Sequence, residues 1–281
     1  MIRESATHWV NKAYREGWAV GMFNAHHLEA VQAIADAAEK ARAPVMLSTT
    51  MGGLKHVGLD YFMGMAGAAK QRVGVPLILH LDHGANYETV RMCIEAGFDS
   101  VMIDASSASY DENVDLVRKV VALARRHGVG VEAQIGETLA EEGGEVIERK
   151  TTVDEALAFV RDTGVDYLAV SIGNTPGVLG DGAPIDVPLV EALSAALKMP
   201  LVLHGGTSVP ADIVSAVIAA GIAKVNIDAA VKGGFREALT RAYGVADPVV
   251  DTRQPLAEAR TLAERAVDRR IRMFGAAGRA D

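Results

Sequence analysis

The chain has 281 residues, of which 49% are hydrophobic, and a formal net charge of −8. This length and composition suffice for one large core, and single-domain α/β barrels commonly reach this size. The acidic balance excludes the basic surface that neutralises a phosphate backbone, so we expect no nucleic-acid partner. Charges interrupt every long hydrophobic stretch and Met1–Gly17 has no apolar signal core, so we expect a cytoplasmic protein with no membrane partner.

Near-continuous apolar runs recur along the chain, which is typical of strands that are buried on both faces. The runs are Trp18–Asn24, Pro44–Thr50, Pro76–His83, Ser100–Ser106, Gly130–Gly136, Tyr167–Gly173, Pro200–Gly206 and Ala223–Ala229. Helix-period segments lie between them, including Leu28–Ala41, Asn113–His127, Val153–Thr163, Val187–Leu197 and Pro210–Ala220. A parallel barrel closes with eight strands, the number of runs in the sequence. The alternation of strands and helices therefore predicts an α/β fold, a (β/α)₈ TIM barrel. We expect residues 1–281 to form one domain.

Two features refine this prediction. A doubly wound sheet would show the same alternation, but the Gly-rich phosphate turn that usually follows its first strand is missing. After the last unit comes the charged amphipathic segment Leu256–Phe274, so we expect residues 254–281 to form a C-terminal helix and tail. This extension could pack on the outside of the barrel or on a neighbouring subunit.

The single cysteine, Cys93, excludes an internal disulfide and sits in a helical segment, so we expect it to pack in the core.

Polar side chains collect at the carboxyl ends of the predicted strands, the rim where barrel enzymes keep their active sites. The third run ends in His80-Leu81-Asp82-His83-Gly84, with His80 and Asp82 on one face and His83 beginning the loop. The other rim candidates are Asn24, Ser48, Asp104, Glu132, Gln134, His204, Asn226 and Asp228. Imidazoles and carboxylates can move protons or hold a metal at neutral pH. If the strands close into a barrel, these side chains converge on one pocket at its rim, which we expect to be the active site.

The loops after the seventh and eighth runs predict an anion site. His204-Gly205-Gly206-Thr207-Ser208 combines two glycines with two hydroxyls, and Asn226-Ile227-Asp228-Ala229 leads directly into a helix. Barrels commonly bind phosphate at these two loops, through free backbone N–H groups and the positive end of a helix dipole. The simpler alternative is that the glycines only make a tight turn.

These motifs together resemble the class II, metal-dependent ketose-bisphosphate aldolase family over almost the whole chain. The matching segments are Gly21–Asn24, Leu79–Gly84, Ser100–Asp104, Val131–Ala133, Leu203–Gly206, Lys224–Asp228 and Ile271–Gly278, in the order of the family. The resemblance implies a carbon–carbon lyase that acts on a phosphorylated or otherwise anionic ketose through an enediolate. It implies a divalent metal cofactor and no organic cofactor. Zinc is the first expectation for the metal, with manganese or magnesium as alternatives. It also implies a homodimer or homotetramer.

The resemblance assigns roles by position. His83 and His204 would be metal ligands, and Asp82 would exchange a proton with the hydroxyl of the carbon that is cleaved. Substrate and phosphate would contact Asn24, Ser48, Gly177, Gly205, Thr207, Asn226 and Asp228. A carboxylate in the loop after the fifth strand, Glu145 or Glu142, would exchange the proton on the enediolate carbon; the alternative is a solvated acidic loop.

Two positions depart from the family pattern. Where the family typically has its third histidine ligand, this chain has Pro176, which has no donor atom in its side chain, and Gln134 replaces a carboxylate of the strand-five motif. Asp104, Glu132 and His27 are further candidate ligands that could complete the site. Two other functions therefore stay open: a sugar-phosphate epimerase or isomerase that uses the same rim, and a non-catalytic ligand-binding barrel.

Overall fold

The computed structural model describes residues 5–140, 146–173, 185–245 and 250–280. In these ranges the strands are β1 (Val20–Asn24), β2 (Val45–Thr50), β3 (Leu77–Gly84), β4 (Ser100–Ile103), β5 (Gly130–Ile135), β6 (Glu137–Ala140), β7 (Val146–Arg149), β8 (Tyr167–Val170), β9 (Leu201–Leu203) and β10 (Ile222–Ile227). The helices are α1 (Ala6–Glu16), α2 (Leu28–Ala41), α3 (Met51–Val57), α4 (Leu59–Arg72), α5 (Tyr87–Ala96), α6 (Tyr110–His127), α7 (Val153–Thr163), α8 (Val187–Leu197), α9 (Ala211–Ala220), α10 (Ala229–Tyr243) and α11 (Arg253–Met273).

Eight parallel strands close a barrel in the order β1, β10, β9, β8, β5, β4, β3 and β2. The closure is made by β1, which pairs with β10 on one side and with β2 on the other. The eight apolar runs thus form the barrel as predicted, and the (β/α)₈ prediction is confirmed. Several strands are shorter than their runs; Pro200–Gly206 contains the three-residue strand β9. In this run His204 directly follows β9 and lies at the carboxyl end of the barrel.

Local sequence signals set the helix ends. Helix α6 begins with a capping box, in which the Ser109 side chain accepts from the Glu112 backbone and Glu112 reaches back to Ser109. It ends at Gly128, whose φ of 68° lies in the left-handed region that glycine adopts without strain. The same helix-ending conformation occurs at Gly97 after α5 and at Gly164 after α7.

Strands β6 and β7 form an antiparallel hairpin outside the barrel, with Glu137 opposite Arg149 and Ala140 opposite Val146. The sequence analysis treated the segment after the fifth strand as a loop, and these two strands correct that prediction. The two strands pair with each other in the segment that follows β5. The apolar periodicity that identified the barrel strands does not apply to this hairpin.

The C-terminal helix α11 packs on the outside of the same chain's barrel, against α10 and α2. Arg260 donates to Gln32 (3.0 Å) and pairs with Asp36, both on α2. The carbonyl of Phe274 accepts from Ala19 N at 3.0 Å, which ties the tail to the start of β1. Of the two predicted positions for this extension, the structure therefore shows the intramolecular one. None of the helices in the described ranges has the length and apolarity needed to cross a bilayer.

Candidate functional site

The end of β3 brings Asp82 and His83 to the same pocket. Adjacent strand residues normally face opposite ways, but His83 has a φ of 50°. The pairing of β3 with β4 also shifts register between Leu81 and Gly84. This irregularity turns the His83 ring back, so that its Nε2 lies 3.9 Å from Asp82 Oδ1. The strand extends to Gly84, so the prediction that His83 begins the loop is wrong.

Two amide side chains from neighbouring strands clasp the Asp82 carboxylate. Asn24 Nδ2 donates to Oδ2 at 2.8 Å, and Asn226 Nδ2 donates to Oδ1 at 3.1 Å. Lys224 Nζ donates to Asn226 Oδ1 at 2.5 Å. Because an ammonium can only donate, this contact identifies the oxygen of the Asn226 amide and directs its NH₂ group to Asp82. Asp82, which is 5% exposed, is therefore held in one orientation at the mouth of the barrel.

A buried ionic network lies below this clasp. Glu132 and Lys224 are both fully buried, with Lys224 Nζ 2.8 Å from Glu132 Oε2. Glu132 Oε1 lies 2.8 Å from His204 Nε2. Burial alone would raise the pKa of Glu132, but the charge of Lys224 and the contact with His204 outweigh it and lower that pKa. Burial, reinforced by Lys224, lowers the pKa of His80 well below its usual value, so His80 is neutral.

His83 is oriented by Asp104, whose Oδ2 lies 2.6 Å from His83 Nδ1. Burial opposes a charge on either group, but their mutual contact raises the pKa of His83 and lowers that of Asp104 to about 2. Ser106 Oγ also donates to Asp104 at 2.7 Å, and Gln134 Nε2 lies 3.4 Å from that hydroxyl. The rings of His83 and His204 meet edge to face, with centroids 4.8 Å apart. Each histidine is thus backed by a carboxylate, the arrangement common behind metal-ligating histidines.

His83 and His204 are two imidazole donors, one fewer than the three protein ligands that a catalytic zinc usually takes. In the described ranges, no group of three or more His, Cys, Asp or Glu side chains is placed to hold a metal ion. Asp104 and Glu132 face histidine nitrogens in this structure. His27 caps α2, accepting from Ala30 N at 3.3 Å through Nδ1, and its ring packs on Phe235.

Several buried polar atoms at the mouth of the barrel have no hydrogen-bond partner among the described residues. They are Asn24 Oδ1, His26 Nδ1, Ser48 Oγ, Thr49 Oγ1 and Asp228 Oδ1. Strand pairing places Asn24 beside Ser48, and His26 Nε2 lies 3.9 Å from Asp228 Oδ1. Leaving such atoms buried and unpaired costs free energy, so this edge of the site suits a ligand rich in hydroxyl and carbonyl groups.

The predicted phosphate loops lie at the ends of β9 and β10. Gly205 has a φ of 66°, the left-handed conformation for which glycine is suited. Arg270 of α11 donates to the carbonyl of Thr207 at 2.6 Å and holds this loop from outside. Asp228 stands at the start of α10, where it pairs with Lys232 at 2.5 Å. The candidate residues Glu142, Glu145 and Gly177, and Pro176 beside the last, lie outside the described residues.

The sequence analysis did not assign Lys224 or Thr49 to the site. A signal for Lys224 was present, because a lone lysine in the apolar strand Ile222–Ile227 must find a buried partner. Thr49 has no comparable signal in the sequence. Its hydroxyl and His26 Nδ1 both lie close to α3: a Cβ on Gly53 would lie 2.3 Å from Thr49 Oγ1 and 2.6 Å from His26 Nδ1.

Comparison with known proteins gives consistent matches. Residues 4–279 match the family model described as fructose-bisphosphate aldolase class-II. The chain is 36% identical to a fructose-bisphosphate aldolase of Thermus caldophilus, covering 96% of this chain and 97% of that protein. It is 36% identical to a sulfofructosephosphate aldolase of Alkalicoccus urumqiensis over 82% of each chain. The crystal structure of the YdjI aldolase of Escherichia coli K12 superposes with a TM-score of 0.87 at 29% identity, covering 99% of both chains.

Proposed function

Because the chain belongs to the class II fructose-bisphosphate aldolase family and is an aldolase-type carbon–carbon lyase, we propose that it cleaves a phosphorylated ketose with Asp82 as the proton acceptor. The observation that carries the proposal is the clasp of Asp82 by Asn24 and Asn226. A carboxylate held in one orientation can meet a substrate hydroxyl at a defined place, which general-base catalysis requires. The family match favours this lyase reaction over the epimerase, isomerase and non-catalytic alternatives.

In the cleavage direction, Asp82 takes the proton from the hydroxyl on the carbon that becomes the aldehyde. The electron pair of the broken carbon–carbon bond stays with the ketone half, which leaves as an enediolate and is then protonated at carbon. Condensation reverses both proton transfers. We assign the second proton transfer to Glu145 or Glu142, as the family resemblance implies.

The class II family typically depends on a divalent metal, and we propose zinc, held by His83 and His204, with manganese or magnesium as alternatives. A bound divalent ion would polarise the ketone and stabilise negative charge on the enediolate. Asp104 and Glu132 orient the two imidazoles through contacts of 2.6 and 2.8 Å. Since Pro176 cannot act as a ligand, we expect water or substrate oxygens to complete the coordination.

The substrate class that we propose is a ketose phosphate. Relatives of this chain are named for fructose bisphosphate and for sulfofructose phosphate, which share a phosphorylated ketose. The unpaired oxygens of Asn24 and Ser48 and the carboxylate of Asp228 suit its hydroxyls. Gly205 and Thr207, with the backbone at the start of α10, suit its phosphate. By family analogy we also propose a cytoplasmic homodimer or homotetramer, with residues 1–281 as one domain.

The test combines metal analysis with a cleavage assay over a panel of ketose phosphates, using protein purified without chelator. We expect near-stoichiometric zinc and release of an aldehyde, with both lost in His83→Ala and His204→Ala. His127→Ala is the matched control, because His127 is exposed at the end of α6. Interconversion of sugar phosphates without aldehyde release would replace the lyase assignment. Full cleavage by protein that holds no divalent metal under any loading condition would refute the metal assignment.

A further inference from the structure

We propose that a cleft between α10 and α11, separate from the barrel mouth, binds a small phosphate anion that carries several negative charges. The cleft has a volume of about 1080 Å³. Its lining includes five arginines and one carboxylate: Arg236, Arg241, Arg265, Arg269, Arg270 and Glu237. The chain has a net charge of −8, so a concentration of cations on one concave surface is a local feature and not an average property.

Most of these arginines have no acidic partner. Arg236, Arg265 and Arg269 are exposed, and none forms a hydrogen bond or ion pair with a carboxylate in the part of the chain that the structure describes. Arg241 differs, because it pairs with Glu237 at 2.8 Å and with Glu258. Guanidinium groups bind phosphate through paired N–H donors, and converging guanidiniums suit an anion with more than one charged group.

Arg270 adds a second, independent observation. Its guanidinium is half-buried and donates to the backbone carbonyls of Thr207 at 2.6 Å and Gly206 at 3.5 Å and to Met273 Sδ at 3.5 Å, none of which is a carboxylate. Burial, together with the charge of Arg269, lowers the pKa of Arg270. Two cations held close together without a carboxylate are electrostatically unfavourable, and an anion in the cleft would relieve this repulsion.

The cleft is distinct from the site at the barrel mouth. Of its lining residues, Thr207 and Ala230 border the proposed phosphate site, and the carbonyl of Thr207 is already engaged by Arg270. Asp82, His83, His204 and Asn226 do not line the cleft. A ligand here would therefore lie behind the phosphate loop and leave the barrel mouth accessible to substrate.

The form and charge of the cleft favour a small anion over larger partners. In a two-fold association of two copies, the same face meets itself, which would place arginines against arginines. A nucleic acid would meet a chain of net charge −8 and needs an extended basic track, whereas this site is one concave cleft. A nucleoside diphosphate and inorganic phosphate share the required chemistry.

The experiment is titration calorimetry of the intact protein with ADP, with inorganic phosphate and with a short oligonucleotide, in low-salt buffer without divalent cations. The test variant is Arg265→Ser with Arg269→Ser. The control variant removes the same charge elsewhere, Arg91→Ser with Arg161→Ser, whose guanidiniums are exposed and paired with Glu95 and Asp162. The barrel mouth is intact in both variants, so any difference between them reports on the cleft. Circular dichroism checks that both are folded.

We expect the cleft variant to bind at least one of the anions more weakly by roughly tenfold or more, and the control variant to match the wild type. Tighter binding of ADP than of phosphate would identify a nucleoside diphosphate as the preferred ligand of the cleft. Tighter binding of phosphate would identify inorganic phosphate instead. Equal binding by cleft variant and wild type overturns the proposal. Equal weakening of binding in both variants also overturns it, because that result would indicate a long-range effect of charge alone. Binding of an oligonucleotide without binding of either small anion overturns it as well.

Discussion

Replacing Lys224 by methionine tests the buried network beneath Asp82. Lys224 and Glu132 are both fully buried and 2.8 Å apart, so the substitution leaves a buried carboxylate without its main counter-charge. Removing one partner of a buried ion pair costs about 3–5 kcal/mol. His204, 2.8 Å from Glu132, gives partial compensation, which favours the lower end of that range. For a chain of this size such a loss corresponds to a fall in melting temperature of roughly 6–20 °C.

The assay is urea unfolding at pH 7 and pH 5, with Lys40→Met as control. Lys40 pairs with Glu264 but is 62% exposed, so its loss should cost at most about 1 kcal/mol. In wild type the lowered pKa of Glu132 gives stability that is present above its unfolded pKa of about 4.3. In Lys224→Met, burial raises that pKa, so Glu132 takes up a proton as the pH falls.

The deficit of Lys224→Met should therefore be smaller at pH 5 than at pH 7, and adding Glu132→Gln should recover most of it. A loss no larger than that of Lys40→Met, with no recovery in the double variant, would refute the reasoning. A deficit that grows on acidification would refute the proposed protonation of Glu132.

Three further predictions concern packing and capping. Burial raises the pKa of Cys93 to about 12, so a thiol reagent should label native protein negligibly at neutral pH and label urea-unfolded protein fully; rapid native labelling would contradict this. His27→Ala removes the cap of α2 and should lower the free energy of unfolding by about 1 kcal/mol, whereas His27→Asn should retain most of it; equal loss in both would argue against capping. Gly53→Ala places a methyl group against Thr49 and His26. It should weaken substrate binding, which would appear as a raised KM. Unchanged kinetics would show that these two side chains do not contribute to substrate binding.

Most of the barrel could be predicted because burial on both faces leaves a simple signature. Val45–Thr50 and Leu77–Gly84 are near-continuous apolar runs, and the polar residues that end them lie at the rim. The hairpin β6–β7 lacks this signature because it lies outside the barrel. Helix α3 begins at Met51-Gly52-Gly53, where two glycines, the poorest helix formers after proline, obscure it.

The site was only partly predictable, because a position at the carboxyl end of a strand gives the rim on which a side chain lies but not its partner. That position grouped Asp82 with Asn24 and Asn226, and the structure brings these three together. It could not show that Asp104 and Glu132 contact histidine nitrogens, because those contacts depend on ring orientation. The positive φ of His83 is likewise a property of the packed strand end and not of the motif.

The central claim is that Asp82 exchanges the proton at the cleaved carbon, and the kcat of Asp82→Asn on a cleaved ketose phosphate tests it most directly. The substitution keeps the size and part of the hydrogen bonding of the side chain but removes the base. We predict a fall in kcat of about 10²–10⁴-fold with substrate still bound, while Asp212→Asn on exposed α9 matches the wild type. Cleavage by Asp82→Asn at the wild-type rate would contradict the account.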